Sequence, residues 1–262
     1  VHTSILLSMI SGLVLLVVGI LFARPILELM STPEDIIDLA TLYLQIYFAG
    51  MPFIMLYNFT SAILRSKGDT KRPLLSLLVS GVINVILNLF FVIVCHMSVE
   101  GVAIATVISN IISSLMLIYF LMHETDALKV ELKKLCIHKD ILLKVAKIGV
   151  PAGLQSTVFS ISNVIIQTAL NALGSAAVAA SAAALNYEYF TYFVISAFSQ
   201  AAVTFIGQNY AAKKYQRCKD ITKWTILLSS LSTLFVSFAF IFFHKFCISF
   251  FTSDLQIANL AY

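Results

Sequence analysis

Long apolar segments constrain the fold of this chain more than any other feature. Apolar residues make up 60% of the sequence and charged residues only 11%, whereas about a quarter of the residues in soluble domains are charged. Several segments reach the roughly 20 apolar residues that a membrane-crossing helix needs. Short alternating segments, which are typical of a membrane β-barrel, do not appear. The sequence therefore predicts an all-α, polytopic membrane protein.

Seven complete membrane-spanning helices and the start of an eighth are predicted from these segments. The loops between them alternate sharply in charge, because fifteen of the seventeen Lys and Arg residues lie in or beside the loops after the second, fourth and sixth helices. The positive-inside rule places these loops in the cytoplasm. The predicted helices cover residues 3–23, 39–64, 74–95, 101–122, 141–173, 177–206 and 222–243, and the last begins at residue 257.

An internal repeat relates the two ends of the chain. Residues 5–40 align without a gap with residues 226–261, 221 positions later, and eleven residues are identical. Loop pairs such as Arg24 and Lys245 keep their chemistry. Copies six helices apart share one orientation, so the repeat is parallel rather than inverted. We therefore expect duplicated six-helix lobes, twelve helices in the intact protein, and two helices before Val1. The alternative is a chance match between apolar helices.

The repeat and the charge pattern divide the chain into three regions. Residues 1–122 are expected to form the C-terminal part of an N-terminal lobe, with four helices. Residues 141–262 are expected to form the N-terminal part of a C-terminal lobe, with three helices and the start of a fourth. Residues 123–140 then form a cytoplasmic linker, in which apolar residues alternate with lysines. This pattern predicts a basic amphipathic stretch on the anionic inner leaflet.

A loop of distinctive sequence follows the second predicted helix. Residues 62–73 predict a helix end, a turn at Gly68 and Asp69, and a proline near the start of the next helix. This loop resembles the one after the fourth helix of the multidrug and toxic compound extrusion (MATE) transporters. The resemblance covers essentially the whole chain and corresponds to the third through ninth helices and the start of the tenth. Further segments match the family in order at residues 84–88, 101–106, 149–153 and 201–209.

The resemblance implies two six-helix lobes around a central cavity. It also implies secondary active efflux of small organic, often cationic, compounds in exchange for H⁺ or Na⁺, with no cofactor. We expect a multi-pass protein of a prokaryotic plasma (inner) membrane, monomeric in the lipid bilayer and without a nucleic-acid partner. The alternative is a flippase of a lipid-linked glycan or another amphiphile in the same superfamily. Basic residues deep in the helices would favour a flippase, and none of the seventeen lies there.

Glu188 is the acidic residue that the sequence places at membrane depth. The other twelve acidic residues lie in or beside loops, whereas Glu188 is the twelfth residue of the predicted sixth helix, about 18 Å along it. An ionisable residue at this depth marks a functional site, and Tyr192 and Ser199 share its helical face. The alternative is a structural carboxyl bonded to a neighbouring Ser, Tyr or amide side chain. The nearby rings that suit an organic cation belong to Tyr187, Tyr189, Phe190 and Phe193.

Uncharged polar residues in two other helices are further candidates for ion or ligand contact. Asn84 and Asn88 lie four residues apart on one helical face, where they either coordinate Na⁺ or a ligand or bridge packed helices. The resembled family often has an acid at the second of these positions, and an amide cannot carry a proton. Gln155 and Asn163 belong to a polar stripe on the fifth predicted helix, which lines a wet cavity or bonds neighbouring helices.

Two prolines and one loop are candidates for conformational change. Pro52 and Pro151 each remove a backbone hydrogen bond, so they mark either hinges for alternating access or static bends. In the cytoplasmic loop, Asp69 either forms a gating ion pair with Arg65 or caps the turn at Gly68.

Several functional classes lack sequence support. The four cysteines form no CxxC pair or Cys/His cluster, and the histidines have no metal-ligand spacing. The sequence contains no phosphate-binding loop and no nucleophile elbow. Neither an enzyme, a metal site nor an ATP-driven pump is predicted.

Overall fold

The structure is a computed structural model that describes residues 1–29, 34–125, 128–171 and 175–243. The predicted eighth helix and the end of the second repeat copy lie outside the described residues. Within them the chain is helical and contains no strand. The helices are α1 (His2–Leu29), α2 (Glu34–Ala49), α3 (Met51–Ser66), α4 (Lys71–Leu89), α5 (Val99–Met122), α6 (Lys139–Asn171), α7 (Ser175–Ala211) and α8 (Tyr215–Phe242).

All seven complete helices predicted from the sequence correspond to helices of the structure. The second predicted helix is two helices, because α2 and α3 meet at a break with a bend of 45°. The third continues beyond α4 as a π-helix, Phe90–Val94. Among the described residues, five helices are long and apolar enough to cross a membrane, and the α2–α3 pair makes a sixth. The prediction of an all-α multi-pass membrane protein is confirmed.

The chain forms two compact units, residues 1–145 and residues 146–262. In the first unit, α1 packs against α2 and α3, while α5 packs against α2, α3 and α4. In the second unit, α7 packs against α8. Each unit therefore carries its own helix–helix contacts.

Two glycines let α1 approach α2 and α3 closely. A Cβ atom added at Gly12 would lie 2.4 Å from the Cα atom of Pro52. One added at Gly19 would lie 2.0 Å from the ring of Phe48. Lipid tails are as apolar as the helices, so packing in a membrane depends on close van der Waals contact through small residues. The two glycines supply that contact along one face of α1.

Several buried hydroxyl side chains find partners inside the protein, although the buried hydroxyl of Ser61 has none among the described residues. The hydroxyl of Ser8 donates to the carbonyl of Ile5 at 2.7 Å, and that of Thr60 to the carbonyl four residues earlier at 2.6 Å. Ser76 on α4 instead donates to the carbonyl of Ser113 on α5 at 2.8 Å, which joins the two helices. No water is available in the bilayer core, so this internal pairing is what allows small polar residues there.

The bend between α2 and α3 follows from the position of Pro52. Pro52 lies in the first turn of α3, where its missing N–H leaves no helical hydrogen bond unmade. The N–H groups of Phe53 and Ile54 both donate to the carbonyl of Gly50, at 3.0 and 3.1 Å. By contrast, α6 continues through Pro151 as one helix. The sequence thus located a bend at Pro52, whereas Pro151 does not end its helix.

The linker, which the sequence predicted as an amphipathic stretch on the inner leaflet, packs within the first unit. Val130 is only 2% exposed and belongs to an apolar cluster with Leu64 and Leu121. Leu128 and Leu135 pack against the same cluster. In the described part of the linker, helical structure before α6 is limited to the 3₁₀ turn Leu132–Lys134. These apolar side chains of the linker therefore belong to the protein core.

The close contact at Gly12 can be tested by substitution. Gly12→Val in the full-length protein should destabilise the fold by about 1–3 kcal/mol, because the new side chain overlaps the backbone at Pro52. The matched control is Gly81→Val on α4, where an added Cβ meets no atom within 4 Å. Apparent melting temperatures in detergent measure the difference. Equal melting temperatures for the two variants would contradict the packing described here.

Candidate functional site

The first group of polar residues at membrane depth joins α4 to α5. The side-chain nitrogen of Asn84 lies 3.4 Å from the hydroxyl oxygen of Thr106 and 3.3 Å from that of Ser109. The side-chain nitrogen of Asn88 donates to the side-chain oxygen of Asn84 at 3.0 Å. The structure therefore brings the two predicted asparagines together with two hydroxyl residues that the sequence analysis did not select.

The order of donors and acceptors in this group fixes the orientation of Asn88. The hydroxyls of Thr106 and Ser109 donate to main-chain carbonyls on α5, each at 2.9 Å, so they accept the hydrogen bonds from Asn84. The oxygen of Asn84 then accepts from the nitrogen of Asn88. The remaining atom, Oδ1 of Asn88, is buried and has no hydrogen-bond partner among the described residues.

The unpaired side-chain oxygen of Asn88 can accept a hydrogen bond or bind a cation. Leaving such an acceptor buried without a partner costs about 1–3 kcal/mol, so a cation or a hydrogen-bond donor would be bound favourably at Oδ1 of Asn88. The π-helix begins two residues later, at Phe90, and single π turns are frequent at functional sites. No local sequence pattern marks this change of helix type.

The second group surrounds Glu188 in the second unit. Residues of α6 and α7 line a cavity of about 610 Å³ that includes Glu188. Two other predicted residues, Asn163 and Tyr192, line the same cavity, whereas Gln155 and Ser199 do not. The rest of the lining is mostly apolar and comprises Phe159, Ile166, Leu170, Ser181, Leu185 and Tyr189.

The carboxylate of Glu188 is exposed in this cavity. It has no hydrogen bond or ion pair to any described residue. The aliphatic hydroxyl nearest in sequence is already used, since Thr191 donates to the carbonyl of Tyr187 at 3.2 Å. A structural carboxyl would be held by such bonds. The arrangement is instead a free acidic group in a largely apolar cavity.

The aromatic residues near Glu188 serve two different purposes. The rings of Tyr187 and Phe190 pack on Phe240 of α8, with centroid distances of 4.9 and 6.4 Å. Tyr189 and Tyr192 line the cavity. Of the four rings that the sequence suggested for an organic cation, that of Tyr189 lines the cavity, Phe193 is not part of the lining, and Tyr187 and Phe190 attach α7 to α8.

The cytoplasmic loop between α3 and α4 contains the predicted turn. Gly68 has a φ of 93°, a conformation that favours glycine. The N–H of Gly68 donates to the carbonyl of Arg65 at 2.8 Å, and the N–H of Asp69 to that of Leu64 at 3.1 Å, which is the Schellman pattern that ends many helices. Asp69 then accepts from the backbone N–H groups of residues 71 and 72, at 3.1 and 3.2 Å. Asp69 is therefore a capping residue.

The ion pairs of this loop differ from the predicted one. The carboxylate of Asp69 pairs with Nε of Arg72 at 3.2 Å, and not with Arg65. Arg72 also donates to Oε1 of Glu124, just after α5, while Nζ of Lys67 lies 2.8 Å from Oε2 of the same carboxylate. Glu124 is only 7% exposed. This cluster ties the loop to the end of α5, and the sequence analysis overlooked it because it counted Glu124 as a loop acid.

Two neighbouring cations stabilise the ionised form of Glu124. The hydrogen bond from Lys67, followed by that from Arg72, holds the pKa of Glu124 below its usual value, against the opposing effect of burial. A carboxyl whose pKa is lower in the folded state stabilises that state above its unfolded pKa. This stabilisation is lost as the pH falls through the folded-state pKa.

Comparisons with known proteins give one consistent relationship. A model of the MatE family matches residues 1–90 and 151–262. The probable multidrug resistance protein YoeA of Bacillus subtilis is 30% identical, over 100% of this chain and 58% of that protein. The multidrug export protein MepA of Staphylococcus aureus is 27% identical, over 95% of this chain and 55% of that protein.

Solved structures share the fold. An outward-facing multidrug resistance MATE family transporter of the MOP superfamily superimposes with a TM-score of 0.89 at 23% identity. The match covers 98% of this chain and 58% of that one. The chain therefore spans between half and two thirds of the length of the relatives it matches.

The Glu124 cluster generates a pH-dependent prediction. Glu124→Gln should lower the melting temperature of the full-length protein at neutral pH, because two cations lose their carboxylate partner. The difference from the wild-type protein should shrink as the pH falls below the ordinary value of 4.5 and through the lower folded-state pKa. The control is Glu131→Gln, whose pair with Lys134 is largely exposed and contributes little. A pH-independent difference would contradict this assignment.

Proposed function

The chain belongs to the MatE family, and from this premise we propose that the full-length protein is a secondary active multidrug exporter of a bacterial plasma membrane. It exchanges small organic, often cationic, compounds for H⁺ or Na⁺ by alternating access of two lobes, as a monomer in the lipid bilayer and without a cofactor. The names of its bacterial relatives support export of drugs. The observation that carries the proposal is the unpaired carboxylate of Glu188 in the α6–α7 cavity.

The chemistry of this cavity suits an organic cation. A volume of about 610 Å³ falls within the range of about 300–1,000 Å³ that drug-sized ligands occupy. At an effective dielectric constant of about 20, a cation 4 Å from a carboxylate gains about 4 kcal/mol. Contact with the rings of Tyr189 and Tyr192 adds about 0.5–2 kcal/mol. The apolar lining accommodates the rest of such a compound without selecting its shape, which favours a broad range of substrates.

The two polar groups suggest two positions for the coupling ion. Glu188 can bind a proton in exchange for the organic cation, since both require the same carboxylate. Asn88 cannot carry a proton, but its unpaired Oδ1 atom is a hard oxygen ligand of the kind that binds Na⁺ in transporters. A flippase for a phosphate-bearing amphiphile would need basic residues at membrane depth. The described lining of the α6–α7 cavity contains none.

The role of Glu188 is tested by a neutral substitution. Glu188→Gln should reduce gradient-driven efflux of a cationic dye at least about ten-fold, because the bound cation loses its charge partner. Dye efflux from everted vesicles, normalised to expressed protein, measures the change. Glu34→Gln at the exposed start of α2 is the matched control. Unchanged efflux in the Glu188 variant would remove this residue from the mechanism.

The coupling ion is tested by substitution of Asn88. Asn88→Leu should diminish efflux driven by an imposed Na⁺ gradient and leave efflux driven by a pH gradient in place, because it removes the unpaired oxygen and keeps the side-chain volume. Vesicles with one gradient at a time separate the two effects. Asn110→Leu is the control, since its amide nitrogen donates to the carbonyl of Thr106 at 2.8 Å. Na⁺-driven efflux that survives in the Asn88 variant would contradict a Na⁺ site there.

A further inference from the structure

A second cavity lies between α7 and α8, at the end of this helix pair that the positive-inside rule places in the cytoplasm. Its volume is about 600 Å³. The lining changes character along its length. The end nearest the α7–α8 turn carries the polar residues Asn209, Arg217 and Asp220, and the other end carries Phe198 and Leu228. The cavity is therefore a groove with one polar and one apolar end.

The chain segment at the polar end carries an excess of positive charge, while the lining itself holds one basic residue, Arg217, and one acid, Asp220. Five basic residues lie within 213–223 of the sequence, against one acid, Asp220. Asp220 accepts a hydrogen bond from Gln216 at 3.4 Å. None of the five has a carboxylate within ion-pair distance among the residues that the structure describes. Arg217 is the one that lines the groove, so its guanidinium is available to an anion.

The groove is about as long as the hydrocarbon layer of one lipid leaflet is thick. Arg217 and Leu228 are eleven residues apart on α8, which corresponds to about 16 Å along the helix. Half of the hydrocarbon core of a bilayer is about 15 Å thick. Between them lies Trp224, the only tryptophan of the chain and 57% exposed. Tryptophan is enriched at the level of the lipid headgroups. The groove therefore runs from headgroup level into the apolar layer.

We propose that the α7–α8 groove binds an anionic phospholipid of the cytoplasmic leaflet, with the phosphate at Arg217. One acyl chain lies along Phe205, Phe198 and Leu228, and the indole of Trp224 contacts the glycerol region. Basic pockets between helices on the cytoplasmic side are suited to anionic headgroups. This lipid site is separate from the Glu188 cavity, since the two cavities share no lining residue. It does not depend on which compound is transported.

Native mass spectrometry of the full-length protein in detergent, with added phosphatidylglycerol or phosphatidylcholine, tests the proposal. The wild-type protein should retain phosphatidylglycerol in preference to phosphatidylcholine. Arg217→Gln should lower the retained phosphatidylglycerol about five-fold, the effect of neutralising one interfacial basic residue. Arg217→Lys should restore it, which separates charge loss from misfolding. Lys144→Gln on α6 makes the same charge change at a residue that does not line the groove and should leave the retention unchanged.

Several results would overturn the proposal. Equal retention in the wild-type protein and the Arg217→Gln variant would exclude the guanidinium as the headgroup ligand. Equal losses in the Arg217→Gln and Lys144→Gln variants would indicate non-specific attraction to the basic loops. Displacement of the lipid by inorganic phosphate alone would exclude a contribution of the acyl groove. Failure of the wild-type protein to retain phosphatidylglycerol would exclude the groove as a phospholipid site.

Discussion

The absence of water from the bilayer core is the constraint on which the rest of this structure depends, because polar groups there must find partners within the protein. Buried hydroxyls such as those of Ser8 and Thr60 meet this requirement on their own helices, and Ser76 meets it across the α4–α5 contact. Small residues such as Gly12 then bring the helices close enough for van der Waals contact to hold them together. The buried hydroxyls of Ser61 and Thr233 also lack a partner among the described residues, but the unpaired oxygen of Asn88 and the unpaired carboxylate of Glu188 are the stronger ligands for a cation. The same constraint that shapes the fold therefore identifies the candidate site.

Much of the fold could be predicted because its determinants are local. The length of each apolar segment sets the number of helices, Pro52 locates the bend between α2 and α3, and Gly68 locates the end of α3. The missed features depend on contacts between residues distant in sequence. Glu124 pairs with cations more than 50 positions away, and the linker residue Val130 enters the core of the first unit. Neither contact has a local sequence signal. The π-helix that begins two residues after Asn88 also has no local sequence signal, because its residues are equally compatible with an ordinary α-helix.

Only part of the candidate site could be predicted from the sequence. Helical periodicity correctly grouped Glu188 with Tyr192, because residues four apart on α7 share a face. It also grouped Ser199 with them, but that residue lies outside the cavity lining. The spacing of residues along a sequence shows which of them share a helix face, but it does not show which neighbouring helix packs against that face. This is why Tyr187 and Phe190 contact α8 instead of the cavity. Of the polar stripe on α6, Asn163 lines the cavity and Gln155 does not, because only part of that helix adjoins the cavity.

The central claim is that one carboxylate, that of Glu188, binds the transported cation and has no other partner. The most direct measurement is the number of protons released when the purified full-length protein binds tetraphenylphosphonium, followed by calorimetry in buffers of different ionisation enthalpy. We predict that binding releases protons and that the affinity weakens as the pH falls, because proton and cation compete for the same group. Binding without proton release, and with an affinity that does not change with pH, would contradict it.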